Sequence, residues 1–350
     1  MPLHDYKGCL HVHSTYSDGD ADIQEILAAA RETGLDFVVL TDHQTLAARD
    51  DGLAGWHDGV LLDVGAELAA GHHHCMALGL EELDGTPGGE SAAEGLEAIK
   101  RAGGLAFVVH PRPVHKPLFS VWVPGWDEWE LDTFDGLEIW PYLHDWITDL
   151  QPWNFLSHYR CPDRWVKGPD PFLLARWDAV GQRRRVVGIG SLDNHARRIP
   201  FRRRGPAILE IFPHRYAFRT VRTHVVTGEP FDGSSDDIAR LHALLAQGRC
   251  YVSYDLIADA TGFSFEGHRG GRVVPMGQEI PAGEAVELRA ACPADAELRL
   301  LHDGQTIGVE QGREIGGAAS EPGVYRVEAL LDGRPWIFSN PIYLREGLRP

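Results

Sequence analysis

Leu35-Asp36-Phe37-Val38-Val39-Leu40-Thr41-Asp42-His43 is the stretch that decides the fold. The run from Leu35 to Leu40 is almost wholly apolar instead of alternating, which predicts a strand buried on both faces, and it stops at an aspartate and a histidine. Just upstream, Ile23, Ile26, Leu27 and Ala30 recur at helical spacing between Asp22 and Glu32, with Gly34 placed to cap the helix. The unit is therefore helix, buried strand, then a metal-ligand type of side chain. It repeats outward. Val60 to Gly65 is a predicted strand ending at Glu67; a helix from Ala92 to Ala102 stops at Gly103-Gly104, and the strand Leu105 to Val109 ends at His110. A helix over Phe172 to Val180 precedes the strand Val186 to Ile189, which leads to Asp193 and His195. Polar residues that repeatedly follow apolar strands alternating with helices indicate a parallel barrel or sheet with its site at the strands' C-terminal edge. Spacing alone leaves open sheet and closed barrel as alternatives.

The residues gathered at that edge have one chemistry. His11 and His13 are two apart on one predicted strand, so both side chains face the same side, as two ligands of one ion require. Asp18 follows in the turn Ser17-Asp18-Gly19-Asp20, where an Asx turn is its ordinary use. With His43, Glu67, His74, His110, Asp193 and His195 these make a cage of imidazole and carboxylate, the ligand set of Zn2+, Mn2+ or Fe2+. Mixed sites of this type with open positions are hydrolytic more often than structural. Asp42 is read as orienting a neighbouring histidine.

Composition bounds the partners. The chain has 350 residues, 43% of them hydrophobic, enough for a large core and for two domains. The net charge of −18 opposes a long nucleic acid, whose binders present a basic stripe, and leaves a small-molecule substrate as the expected partner. Bound divalent ions would offset part of that charge. No apolar run approaches the roughly 18 residues of a membrane span, and the start MPLHDYKGCL lacks a signal pattern, so a cytoplasmic location without membrane association is expected. Cys9, Cys75, Cys161, Cys250 and Cys292 are scattered without CxxC spacing and read as free thiols, Cys9 and Cys75 as small buried residues. Nothing in the pattern requires an oligomer.

Between about residues 140 and 180 the chain is rich in aromatics, including Tyr142, Trp146, Trp153, Phe155, Tyr159, Trp165 and Trp177, which serve as core or as walls of a pocket. After a helix from Asp236 to Leu245 and a strand Tyr251 to Tyr254, the texture changes. Alternating stretches such as Val286 to Arg289, Glu297 to Leu300 and Tyr325 to Glu328, broken by Asp303-Gly304 and Asp332-Gly333, predict a small antiparallel β-sandwich. The expected division is residues 1–260 for the ligand-bearing domain and 261–350 for the sandwich.

His11-Val12-His13-Ser14, Thr41-Asp42-His43, Gly65-Ala66-Glu67, Phe107 to Pro111 and Gly190 to His195 together resemble the polymerase-and-histidinol-phosphatase (PHP) family of metallohydrolases, over roughly residues 4 to 200. The later stretch with Phe263-Ser264-Phe265, Gly323 to Glu328 and Trp336 to Tyr343 resembles the family's carbaryl-hydrolase-like branch. The resemblance implies an α/β fold, a distorted (β/α)7 TIM-like barrel, with two or three metal ions at its mouth. By that resemblance His11, His13, Glu67 and Asp193 hold the first ion, Glu67 bridges to a second held by His74 and His110, and Asp18, His43 and His195 hold a third. His74 is preferred among His72, His73 and His74 because Cys75 to Gly79 looks like the apolar strand that trails this ligand in the family; His72 stands in reserve. Asn194 is given no role.

The implied activity is metal-dependent phosphoester hydrolysis by a metal-bridging hydroxide, on a small substrate that an aromatic wall would let carry an aryl group. His43 or His195 would protonate the leaving group, and Arg112 or Lys116 would anchor a phosphate. Arg197, Arg198, Arg202, Arg203 and Arg204 follow the last ligands, those beyond Arg198 reading as a solvated loop. The alternatives are carbamate or ester hydrolysis of the carbaryl-hydrolase type and a non-catalytic binding protein stabilised by metal.

Overall fold

The structure, a computed structural model, describes residues 3–83, 89–119, 121–200 and 208–347. Strand β1 (His4–Val12), helix α1 (Ile23–Thr33) and strand β2 (Phe37–Leu40) form the first βαβ unit, with β2 parallel to β1. Asp22 caps α1 in a capping box with Glu25, Gly34 ends it in the left-handed region at φ 68°, and Ile23, Ile26, Leu27, Ala29 and Ala30 are its buried face. Gly8 lets the strands approach, because a Cβ there would meet the Phe37 ring at 2.4 Å.

Strand β3 (Val60–Val64) continues parallel to β2. The hairpin of β4 (Ala66–Ala70) and β5 (His73–Leu78) begins a second sheet. After helix α2 (Ala92–Arg101), β6 (Leu105–Val108) pairs antiparallel with β5. Strand β7 (Gly136–Pro141) is parallel to β6. Helices α3 (Tyr142–Thr148) and α4 (Pro171–Arg183) follow, and then β8 (Val187–Ser191), parallel to β7.

Two arcs result: β1-β2-β3 in one sheet and β4 to β8 in another. They are joined at the strands' C-terminal ends by the bridges Val12 to Asn194 and His43 to Glu67. The expected barrel is thus met only in part, since the α/β character and the parallel strands are present but the hydrogen-bonded sheets do not close into a ring. The antiparallel hairpin β4–β5 and register shifts in β1 at Cys9/Val12 and in β7 at Glu138/Trp140 break the regular ladder at the rim. Leu10, Phe37, Val39, Met76, Phe107 and Ile189 pack into one cluster with Leu241 and Leu245 of helix α5 (Asp236–Ala246). This filled interior leaves the strands' C-terminal rim as the place for a site.

On its other edge β1 pairs with β9 (Val221–Thr227), which pairs with β10 (Cys250–Tyr254). From Ser264 onward the described chain is strand and turn, mostly antiparallel, in keeping with the expected β-rich texture. It is not a separate sheet, however. Strands β11 (Val286–His302), β12 (Gln305–Ala319), β13 (Gly323–Leu331) and β14 (Arg334–Ser339) extend the first one, because β14 pairs with β10 through Tyr251–Ser339 and Val252–Phe338. Asp303-Gly304 and Asp332-Gly333 are tight turns with both residues at positive φ, 50° and 76°, then 51° and 76°. Asn340 reaches back to bond Gly188 of β8 through both its amide atoms at 2.8 Å, and Arg326 forms a two-pronged ion pair with Asp178 of α4. Among the described residues no helix is long and apolar enough to cross a membrane.

Candidate metal centre

The rim brings all nine of the singled-out ligand-type residues together in three overlapping groups: His11, His13, Glu67 and Asp193; Glu67, His74 and His110; and His13, Asp18, His43 and His195. The two oxygens of Glu67 face different sides. Oε2 lies 3.0 Å from His11, 3.3 Å from His13 and 3.4 Å from His43, whereas Oε1 lies 2.7 Å from His74 and 2.9 Å from His110. Asp193 Oδ1 lies 3.5 and 3.4 Å from the Nε2 atoms of His11 and His13, and Asp18 Oδ1 lies 3.2 Å from His195 Nε2.

The backbone does unusual work here. His11, His110 and Asp193 sit at φ 61°, 31° and 51°, a region that L-residues rarely adopt. His11 and His13 do face one site, but β1 reaches it through this distortion and not by the plain two-residue alternation of a strand. The seam hydrogen bonds from Asn194 N to His11 O (3.2 Å) and His13 N to Asn194 O (3.0 Å) hold the twist in place.

Burial and charge oppose each other across the cluster. Burial alone would depress the His11 imidazole, yet the Glu138, Glu67 and Asp193 carboxylates hold its pKa well above the usual value. His13 is also subject to burial, and the nearby Asp193 and Glu67 carboxylates raise it to about 9. Burial would raise Glu67, but His11, His110 and His13 hold it well below the carboxylate range. Burial lowers His43. A core that gathers buried carboxylates calls for positive charge, and a divalent cation fits the atoms present. Both ring nitrogens of His13 and Oδ1 of Asp18 are buried without a hydrogen-bond partner. The spacings of 3.2 to 3.5 Å from Asp193 to His11 and His13 and from Asp18 to His195 match ligands about 2.1 Å from one ion at tetrahedral angles, which stand about 3.4 Å apart. Cys9 and Cys75 take no part, since burial pushes both thiols up, Cys9 to about 12.

Three side chains were not anticipated. Glu138, fully buried, accepts from His11 Nδ1 at 2.6 Å and from the His110 backbone N–H. Its signal was visible: an acid in the middle of the apolar run Gly136 to Pro141. His144 places Nε2 3.0 Å from Asp193 Oδ2 and completes a further group with His110. His214 lies 2.8 Å from the Asn194 side chain and so positions the loop between Asp193 and His195.

Other expectations change. Asp42 does not orient a histidine; its carboxylate accepts from Ser14 N, Ser14 Oγ and Ser17 Oγ, fixing the loop after His13. His72 is exposed and lies outside the Glu67 cluster, which His74 joins. Arg112 is turned to Asp170 at 3.0 Å and lies over the Phe172 ring, and Lys116 donates to Thr148 O. Arg197 instead reaches the centre, 2.6 Å from Asp18 Oδ2, while Arg198 bonds Asp20 and Glu25. Arg202, Arg203 and Arg204 lie outside the described residues. The aromatic segment divides: Tyr142, Trp146 and Trp177 are core, Trp153 is exposed, and Trp140 walls a cavity of about 550 Å³. Arg112, Val114, His144, Asp145, Lys167 and Leu173 also line it, and His144 is the residue it shares with the metal-ligand groups.

The PHP domain matches residues 10–117. An uncharacterised protein of Methanocaldococcus jannaschii is 30% identical over 151 residues, covering 39% of this chain and 83% of that protein. A two-domain protein of Bacteroides vulgatus containing a predicted PHP-like metal-dependent phosphoesterase is 15% identical, with 97% of this chain and 95% of that chain covered at a TM-score of 0.41. An amidohydrolase of Chromobacterium violaceum, with sulfate bound and no metal, is 16% identical, with 54% of this chain and 87% of that chain covered at a TM-score of 0.34.

Proposed function

Because the chain belongs to the PHP domain family, we propose that it is a metal-dependent hydrolase of the cytoplasm that cleaves a small phosphodiester or phosphomonoester. His11, His13, Asp18, His43, Glu67, His74, His110, Asp193 and His195 would hold two or three divalent ions, Mn2+, Zn2+ or Fe2+. The observation that carries this reading is Glu67, whose two oxygens face two different sets of histidines. A carboxylate so placed suits a bridge between neighbouring ions, and neighbouring ions serve hydrolysis, whereas a structural site is a closed cage around one. When bound, such ions supply Lewis acidity, lowering the pKa of coordinated water and neutralising charge on the substrate's oxygens.

The chain's own residues supply the rest. Glu138 accepts the Nδ1 proton of His11 and so leaves Nε2 free to face Glu67 and Asp193. His43, a third exposed, and His195 both stand beside Asp18 at the open side, where whichever of them is not held as a ligand would pass a proton to the leaving oxygen. Arg197, beside Asp18 and partly exposed, is the anion anchor in place of Arg112. The cavity of about 550 Å³ has the size of a small-ligand site and would take an aryl-sized leaving group against Trp140 and Leu173.

One observation favours the carbamate reading of the carbaryl-hydrolase type: Arg112, the guanidinium that lines the cavity, is already ion-paired with Asp170, which suits a neutral aryl group. A panel of aryl phosphodiester, aryl phosphomonoester and aryl N-methylcarbamate, with Asp193→Ala as background, separates the two. Phosphoester turnover that vanishes in the variant supports the phosphoesterase; carbamate turnover alone replaces it with the second reading.

A further inference from the structure

A second cluster of ligand-type side chains lies outside the nine-residue centre. His72, in the turn before β5, His73, the first residue of β5, and Asp127 bring one ligand atom each within 4.8 Å of one another. His73 is 2% exposed, and its Nδ1 is 2.7 Å from the Gly125 carbonyl oxygen, an atom that only accepts. The proton of the neutral ring is therefore on Nδ1, and the lone pair is on Nε2. That nitrogen lies 3.0 Å from Asp127 Oδ1, yet it is not aligned for a hydrogen bond to that oxygen and has no other partner among the described groups. Two acceptors at this range need positive charge between them. The exposed His72 ring, 3.9 Å from the His73 ring, adds a third donor that a shared proton would not require.

We propose that His72, His73 and Asp127 hold a divalent transition-metal ion of the zinc class, separate from the hydrolytic centre, with solvent completing its shell. Two imidazoles and a carboxylate are a zinc donor set, and the Gly125 carbonyl fixes the ring orientation as the outer partners of metal-bound histidines do. The ion joins two pieces of chain that flank the centre. His72 and His73 directly precede His74, and Asp127 follows Trp126, whose N–H donates to Pro111 O, next to His110, at 2.9 Å. Occupancy thus pins the segments carrying both histidines on Oε1 of Glu67. The inference does not depend on which reaction the centre performs.

The test is the zinc content of the full chain after chelator treatment and re-equilibration with excess Zn2+. Asp127→Asn and His72→Gln are each expected to bind one ion fewer per chain than the wild type while keeping the remaining ions. His72 is exposed, so its replacement leaves the core intact. Unchanged zinc content in both variants overturns the proposal, and so does loss of every ion in both, which would mean that these residues do not form a separate site.

Discussion

His11 Nδ1 lies 2.6 Å from Glu138 Oε1, with both side chains fully buried, and Glu138 Oε2 receives the backbone N–H of His110. One carboxylate therefore orients residues of both Glu67-facing groups without itself joining either. Its removal should weaken metal binding and leave the fold in place. Glu138→Gln is expected to lower affinity for Mn2+ or Zn2+ by roughly 10- to 100-fold, the usual cost of losing such a partner. Competition against a chromophoric chelator measures it, and wild-type affinity in the variant would contradict the role.

The two candidate phosphate anchors separate by their partners. Arg112 is held by Asp170 and lies on Phe172, while Arg197 extends to Asp18 at the centre. Arg197→Ala should raise KM for an aryl phosphodiester about tenfold, the equivalent of about 1.4 kcal/mol, with kcat less affected. Arg112→Ala should change it by much less. Steady-state kinetics of both variants decides, and the reverse order would return the anchor to Arg112.

A buried charge cluster away from the site makes stability depend on pH. His224 Nδ1 is 2.9 Å from Asp5, and Nε2 is 3.4 Å from Asp255, which also pairs with Arg222. Burial opposes protonation of His224, but Asp255 and Asp5 outweigh it and lift the pKa to about 9. The folded state thus binds the proton more tightly than the unfolded one, whose histidine titrates near 6.5. The contribution, on the order of 3 kcal/mol, is complete below about pH 6.5 and is lost as pH rises through about 9. Urea unfolding of wild type and His224→Gln across this window checks it. The gap between the two proteins should narrow toward high pH, and a constant gap would refute the account.

Asp178 and Arg326 tie α4 to β13 through bonds of 2.8 and 2.9 Å between side chains that are almost wholly buried. Removing one partner strands a charge, so Asp178→Ala should cost about 3–5 kcal/mol in unfolding free energy. A loss of about 1 kcal/mol, the value of an exposed pair, would mean that the junction is solvated.

How far the sequence was readable depends on the range of the interaction concerned. The positions of Thr41-Asp42-His43 and the Asp193 to His195 turn were legible because each follows a short apolar strand, so local pattern places these ligand-type side chains at the rim. Glu138 was not recognised, because its meaning lies in a contact with His11, 127 residues away. The left-handed backbone at His11, His110 and Asp193 had no signature either: His and Asp adopt it more readily than most side chains, but nothing local marks these three among the chain's many His and Asp, and the surrounding seam imposes it. Arg112 shows the same limit: an arginine after a histidine of the predicted ligand set is visible in the sequence, but its ion pair with Asp170 is a tertiary event. The continuity of the C-terminal strands with β10 rests on the pairing of Tyr251 with Ser339, which no hairpin signal encodes.

The central claim is that Glu67, Asp193 and their histidines form a catalytic metal centre. The most direct measurement is aryl phosphodiester hydrolysis by chelator-stripped protein titrated with Mn2+, beside Asp193→Asn treated identically. The account predicts no turnover in the stripped protein, recovery as Mn2+ is added back, and none in the variant over the same range. Turnover that survives stripping, or that returns equally in Asp193→Asn, would contradict it.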